Sequence, residues 1–254
     1  MKNQIPNAIT TLSLILSCLA ITLTFEGRLD IAAYLLTVSL ACDYFDGFTA
    51  RVLKVKNPIG KELDSLVDMV AFGVAPGMLL YQHLKILQAT PEHAVQFLTN
   101  YPWLLYITFL IPILSAFRLA KFNIDTRQTV SFIGLAVPAH AAFYIFSVLI
   151  YQLPDLPQII SVNQFVVPIV SNPLVMLIMC VLLSFMLVAE VPMFSLKVKQ
   201  LKWKGNELPF SFIILWLLLF IFTSIVAMPT IVIIYCIFSI VHHYFFNKKT
   251  LETA

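Results

Sequence analysis

Asp43-Tyr44-Phe45-Asp46-Gly47-Phe48-Thr49-Ala50-Arg51 is followed, after eight intervening residues, by Gly60-Lys61-Glu62-Leu63-Asp64-Ser65-Leu66-Val67-Asp68. Both runs lie in or beside apolar stretches of helical length, and that placement decides how the chain is read. An ionised carboxylate deep in a bilayer costs roughly 2.5–3.5 kcal/mol on insertion scales. Four of them cost on the order of 10 kcal/mol before their mutual repulsion is counted. Bound divalent metal is the plainest compensation.

The rest of the chain has the composition of a membrane protein. Of 254 residues, 60% are hydrophobic and 11% charged, and the mean hydropathy is +0.90. A soluble domain carries about 25% charged residues. With about 20 mainly apolar residues per crossing, the sequence predicts an all-α polytopic membrane protein of about eight transmembrane helices. They fall at roughly 8–25, 31–54, 60–84, 101–122, 133–153, 171–190, 208–226 and 229–247, the last two separated by a turn at Met228-Pro229. The first segment follows only Lys2 and lacks a small-x-small cleavage signature, so no removable leader is expected. Cys18, Cys42, Cys180 and Cys236 are widely spaced in apolar segments and read as small buried hydrophobes.

Charge orients the segments. Numbering the loops alternately puts 14 of the 16 basic residues on one side, leaving only Arg28 and Lys85 on the other. The positive-inside rule makes that side cytoplasmic, with both termini. Asp43 and Asp46 then lie about 12–16 Å in from the cytoplasmic end of the second segment, and Asp64 and Asp68 about 6–12 Å into the third. The spacings i,i+3 and i,i+4 put each pair on one helix face. A short connection through Asn57-Pro58 makes the two helices antiparallel neighbours, so the four carboxylates can meet in one cytoplasm-facing cavity.

Hard oxygen ligands without His or Cys favour Mg²⁺, Mn²⁺ or Ca²⁺, and four carboxylates balance two divalent ions. A two-metal site suits displacement at phosphorus. Gly47 and Ala50 leave a stretch of helix without bulk, and Arg51 supplies a fork for phosphate oxygens. From the carboxylates alone, an interhelical charge network or an ion-transport relay remains open.

The full pattern, Asp43-x-x-Asp46-Gly47-x-x-Ala50-Arg51 and Gly60-x-x-x-Asp64-x-x-x-Asp68, resembles the signature of the CDP-alcohol phosphotransferases. These are integral-membrane enzymes that join an alcohol to the phosphate of a CDP-linked donor and release CMP. The resemblance implies two divalent ions, Mg²⁺ or Mn²⁺, on Asp43, Asp46, Asp64 and Asp68, with Asp68 also the general base. It implies CDP binding at Gly47, Ala50, Arg51 and Gly60. Pro6-Asn7-Ala8-Ile9-Thr10 resembles the family's Pro-Asn-x-x-Thr helix start, which brings Asn7 and Thr10 near the nucleotide; Pro-Asn is also an ordinary helix cap.

Three further runs resemble the branch of the family that takes serine, the bacterial CDP-diacylglycerol–serine O-phosphatidyltransferases. They are 60–76, Phe117-Arg118-Leu119-Ala120-Lys121-Phe122-Asn123, and Phe132-Ile133-Gly134-Leu135-Ala136-Val137-Pro138-Ala139. Lys121 stands where that branch usually has Arg, and Ala136 where it has Pro. Lys keeps the charge and loses the bidentate fork. The expectation is transfer of the phosphatidyl group of CDP-diacylglycerol to L-serine, with Arg118 and Lys121 near the serine carboxylate and Asn123 orienting the acceptor. The alternatives are another acceptor, glycerol 3-phosphate or inositol phosphate, or a metal-ion transporter. A six-helix catalytic core over 1–190, a basic cytoplasmic loop over 191–207 and a C-terminal helix pair over 208–247 follow from this reading. So do a bacterial inner-membrane location with a cytoplasmic active site and, from the resemblance alone, a homodimer. Membrane lipids are expected around it, and no nucleic acid.

Other polar residues read more plainly. His140 is expected to be an interhelical histidine. His242 and His243 are adjacent and point to different faces. Glu190 is expected to be an interfacial or cation-paired carboxylate rather than a catalytic one. The run Lys197-Val198-Lys199-Gln200-Leu201-Lys202-Trp203-Lys204 is expected to lie on anionic lipid.

Overall fold

A computed structural model describes residues 4–54, 58–125, 132–153, 158–159, 162–193 and 206–246. Lys2, Lys56, Asn57, Arg127, the basic run 197–204, Lys248 and Lys249 lie outside the described residues, as do the side chains of His242 and His243.

The chain is a polytopic all-α membrane protein. It opens with a helical hairpin, α1 (Gln4–Phe25) and α2 (Leu29–Val52). Thr10, Ser13, Ser17, Ala20 and Thr24 recur every three or four residues and form the buried stripe of α1. Facing them on α2 are Ala32, Ala33, Leu36, Ser39 and Asp46. Small side chains let the two backbones approach, and hydroxyls join them: Ser39 Oγ lies 2.7 Å from Ser13 Oγ and 2.9 Å from Ser17 Oγ.

One long helical stretch follows: α3 (Pro58–Asp68), a π-helical segment (Met69–Val74) and α4 (Ala75–Ala89). The helix widens immediately after Asp68, where Gly73 and Pro76 weaken the α-helical ladder. A short α5 (Gln96–Asn100) and a 3₁₀ segment (Pro102–Phe109) lead into α6 (Leu110–Ile124). This passage packs tightly on the one before it. A Cβ on Gly77 would lie 2.9 Å from Pro112 Cδ, and one on Gly73 3.3 Å from Ser115 Cβ. Asp68 lies five residues before Gly73 and Arg118 three after Ser115, so this contact sets the two opposite each other.

Central to the bundle is α7 (Val137–Gln152), buried on nearly every side and packed against α2, α4 and the last helix. Next come α8 (Asn163–Val170) and α9 (Pro173–Val188), bent 79° to each other. Asn172 caps α9, its side-chain oxygen accepting from Leu174 N at 3.0 Å and Val175 N at 3.2 Å. Two short strands, β1 (Phe132–Ile133) and β2 (Pro192–Met193), pair antiparallel beside the ends of α7 and α9.

The chain closes with α10 (Glu207–Thr223) and α11 (Ala227–Phe246). Among the described residues, five helices are long and apolar enough to cross a membrane, or six with the bent α8–α9 pair counted as one span. The last of the five, Glu207–Val241, doubles back on itself. The rings of Phe212 and Tyr235 are 5.6 Å apart, whereas 23 residues of straight helix would separate them by about 35 Å. Ser224, at φ 55°, makes the reversal. The turn thus falls at Ser224–Val226 rather than at Met228-Pro229; Pro229 sits in the first turn of α11, where its missing N–H is harmless. Residues 101–109, expected as the start of an α-helix, are largely 3₁₀.

Candidate active site

The end of α2 and the length of α3 bring Asp43, Asp64 and Asp68 together, with one oxygen from each within 4.8 Å of the others. At that separation two unit charges repel by about 3–4 kcal/mol in an effective dielectric of about 20. A group of three carboxylates with no basic side chain among them suits a hard divalent cation, and the donor set fits Mg²⁺ or Mn²⁺. Asp46, one turn along α2 from Asp43, is outside that 4.8 Å group. It is buried, and its Oδ2 accepts a 2.6 Å hydrogen bond from Thr10 Oγ1 on α1. Thr10 Oγ1 also lies 3.0 Å from the Pro6 carbonyl, and its single proton serves one acceptor at a time.

The residues expected around the nucleotide line the same end of the α1–α2 hairpin. Asn7 is half-buried in α1, and Thr10 is engaged by Asp46. A Cβ on Gly47 would meet nothing within 4 Å, so the helix surface is open there. Ala50 and Gly60 are half-buried and Arg51 is exposed.

Opposite the carboxylates is a cavity of about 110 Å³ lined by Asp68, Arg118, Leu119, Phe122, Ala136, Val137 and Pro138. Arg118 is only 4% exposed. Its Nε donates to the Leu135 carbonyl at 3.3 Å, and its guanidinium lies 5.4 Å from the centre of the Phe122 ring. On its other side is a pocket of about 20 Å³, shared with Lys121, Asp125 and Glu190. Lys121 is exposed and lines that smaller pocket rather than the larger cavity. Asn123 is turned toward α3: its Nδ2 donates to Ser65 Oγ at 3.1 Å, beside Asp64. His140 is interhelical, its Nε2 lying 3.1 Å from Tyr144 Oη and 3.3 Å from Ser184 Oγ on α9, while its Nδ1 has no partner among the described residues.

Sequence reasoning brought the carboxylates and Arg118 to one place. It missed Ser65, although that residue lies inside the quoted run and beside Asp64. It also missed the Leu135 carbonyl, and it allowed Glu190 a cationic partner without naming Arg118, with which it shares the smaller pocket. Backbone acceptors and contacts between distant segments leave no mark in residue spacing.

A family model described as CDP-alcohol phosphatidyltransferase matches residues 3–177. The chain is similar to a CDP-diacylglycerol–serine O-phosphatidyltransferase of Helicobacter pylori strain J99, 34% identical over 147 residues, 57% of each chain. It is 34% identical over 136 residues to the protein of the same name from Bacillus subtilis strain 168, covering 54% of this chain and 70% of that one. An archaetidylserine synthase of Methanothermobacter thermautotrophicus is 32% identical over 139 residues, 54% of each chain. The chain thus matches little more than half the length of the Helicobacter relative.

Proposed function

The chain belongs to the CDP-alcohol phosphatidyltransferase family, and on that footing we propose that it transfers the phosphatidyl group of CDP-diacylglycerol to the hydroxyl of L-serine, giving phosphatidylserine and CMP. The observation that carries the choice of acceptor is that Asp68 and Arg118 line one cavity. A small amino acid fits there with its hydroxyl toward the carboxylate and its own carboxylate toward the guanidinium. The names of the similar proteins from Helicobacter and Bacillus support the same acceptor.

Asp43, Asp46, Asp64 and Asp68 would hold the two divalent ions, Mg²⁺ or Mn²⁺, whose contribution when bound is to neutralise the carboxylates and stabilise charge on phosphate oxygens. Gly47 leaves room for the cytidine to lie against α2, with Asn7, Thr10, Ala50 and Gly60 around it, and Arg51 reaches the pyrophosphate. Asp68 accepts the serine hydroxyl proton, because the neutral hydroxyl is too weak a nucleophile at pH 7. The serine oxygen bonds to the phosphorus that carries diacylglycerol, the bond from that phosphorus to CMP breaks, and Arg51 stabilises the charge that develops. Arg118 holds the acceptor carboxylate from inside the cavity, Lys121 adds charge at the rim, and Asn123 acts through Ser65 on the helix that carries Asp64 and Asp68. We assign the active site to the cytoplasmic face of a bacterial inner membrane, the catalytic core to 1–190 with 208–247 an appended hairpin, and the protein to a homodimer.

Purified protein incubated with CDP-diacylglycerol, Mn²⁺ and each candidate alcohol tests the reading. CMP released with serine, and not with glycerol 3-phosphate or inositol phosphate, is the expected result. CMP released only with a phosphorylated alcohol would change the acceptor. Metal flux into liposomes without CMP release would replace the enzyme by a transporter.

A further inference from the structure

A backbone strap borders the cavity that holds Asp68 and Arg118. After β1 the chain passes through Gly134 and Leu135 to the start of α7, and it is fixed throughout to the end of α9. Gly134 N donates to Val191 O at 2.9 Å and Leu135 N to Met186 O at 2.8 Å. Ile133 pairs with Pro192 and Phe132 with Met193. Gly134 has φ 77°, and a Cβ there would lie 2.5 Å from the Leu187 carbonyl oxygen and 3.0 Å from that of Ala189. Both facts exclude a side chain: the backbone is left-handed, and rigid carbonyls occupy the space. The next residue, fully buried Leu135, presents the carbonyl that accepts from Arg118 Nε. The two after it, Ala136 and Val137, are cavity wall.

We infer that Gly134 is a positioning residue for the acceptor: by seating the strap on the last turn of α9 it sets the Leu135 carbonyl, and so the place of the Arg118 guanidinium. Three segments far apart in the chain thereby act as one unit, α6 supplying the cation, the strap its anchor and α9 the anchor's seat. The inference rests on the proposed role of Arg118 and extends it to residues that contact neither substrate. Stability alone does not account for the arrangement, because a packing device has no need to end on the one buried cation of the cavity wall.

The test is steady-state kinetics of the full-length protein in detergent with Mn²⁺, varying serine and CDP-diacylglycerol separately. Gly134→Ala is expected to raise the serine KM about fivefold or more, with the CDP-diacylglycerol KM within about twofold. In an Arg118→Ala background the same substitution should add less than about twofold, since the residue it positions is gone. If Gly134→Ala does not fold, Ala136→Pro carries the test. Ala136 has φ −73°, which proline adopts without strain, so the strap is stiffened. The serine KM should then fall by about twofold while that of CDP-diacylglycerol stays fixed. Equal shifts in both KM values, a serine KM that ignores the folded variant, or an undiminished effect of Gly134→Ala beside Arg118→Ala would each overturn the inference. Arg118→Ala raising the serine KM while Gly134→Ala does not would remove the inference alone. No CMP from serine with the unaltered protein would remove the proposed function, and the inference with it.

Discussion

The wall of the site that carries Asp43, Asp64 and Asp68, the last of which lines the cavity, comes from two helices consecutive in the chain, each presenting one stripe. The wall that carries Arg118 draws on α6, the strap before α7 and the end of α9. Periodicity orders the first, and a substitution there removes a charge or a ligand. Contacts between remote backbones order the second, so its geometry can be disturbed without touching a charged residue. The carboxylate wall should therefore govern whether reaction occurs, and the Arg118 wall which alcohol reacts. Ser65 and Asn123 join the two.

Metal removal tests the first wall most severely. EDTA should abolish CMP release and Mn²⁺ or Mg²⁺ restore it; turnover that persists in chelator would undo the metal reading of the trio. Asp68→Asn comes next. It keeps the shape of the side chain and loses the base, so kcat should fall by about 10²- to 10⁴-fold with the helical circular-dichroism signal intact. A near-normal rate would show that proton transfer occurs elsewhere. On the second wall, Arg118→Ala should raise the serine KM by about 10- to 100-fold and that of CDP-diacylglycerol far less. An equal rise in both would make Arg118 structural and erase the distinction between the walls. Thr10→Val removes the hydroxyl from Asp46 at nearly constant volume. The Mn²⁺ concentration for half-maximal rate should rise by about tenfold and the serine KM stay constant. Smallest is Ser65→Ala, which loosens the join. It should cost a few-fold in kcat/KM toward both substrates, on the order of 1 kcal/mol, and an effect on one substrate alone would place Ser65 within a single wall.

The same contrast explains what could be read in advance. The apolar segments and the spacing of Asp43, Asp46, Asp64 and Asp68 are local properties; they predicted the polytopic helical fold and a meeting of four carboxylates, of which Asp43, Asp64 and Asp68 lie within 4.8 Å of one another. Arg118 could be named because its own run of residues pointed to it; its anchor could not, because Leu135 contributes only a carbonyl. The π segment after Asp68 and the 79° bend before Pro173 coincide with glycine and proline, but those residues weaken a helix without fixing how far it widens or bends. The reversal near the C-terminus was expected at a proline, yet Ser224 makes it, since Pro229 fits the opening turn of a helix as readily as a loop. Asp46 was grouped with the other three acids by helix face; its hydrogen bond from Thr10 on α1 could not be read from that spacing, because the donor lies on another helix.

The hydroxyl seam between α1 and α2 also bears on biogenesis. These helices are made before the other described helices and adjoin in the chain, and their partners at Thr10, Ser13, Ser17, Ser39 and Asp46 are all supplied within residues 4–52. The hairpin can thus enter the lipid as a pair that shelters its own polar groups, so that Asp46 need not cross as a lone acid awaiting the rest of the bundle. His140 and Tyr144, on a helix enclosed by both earlier and later segments, have no such head start: Ser184, which completes their cluster, has yet to be synthesised when α7 leaves the ribosome.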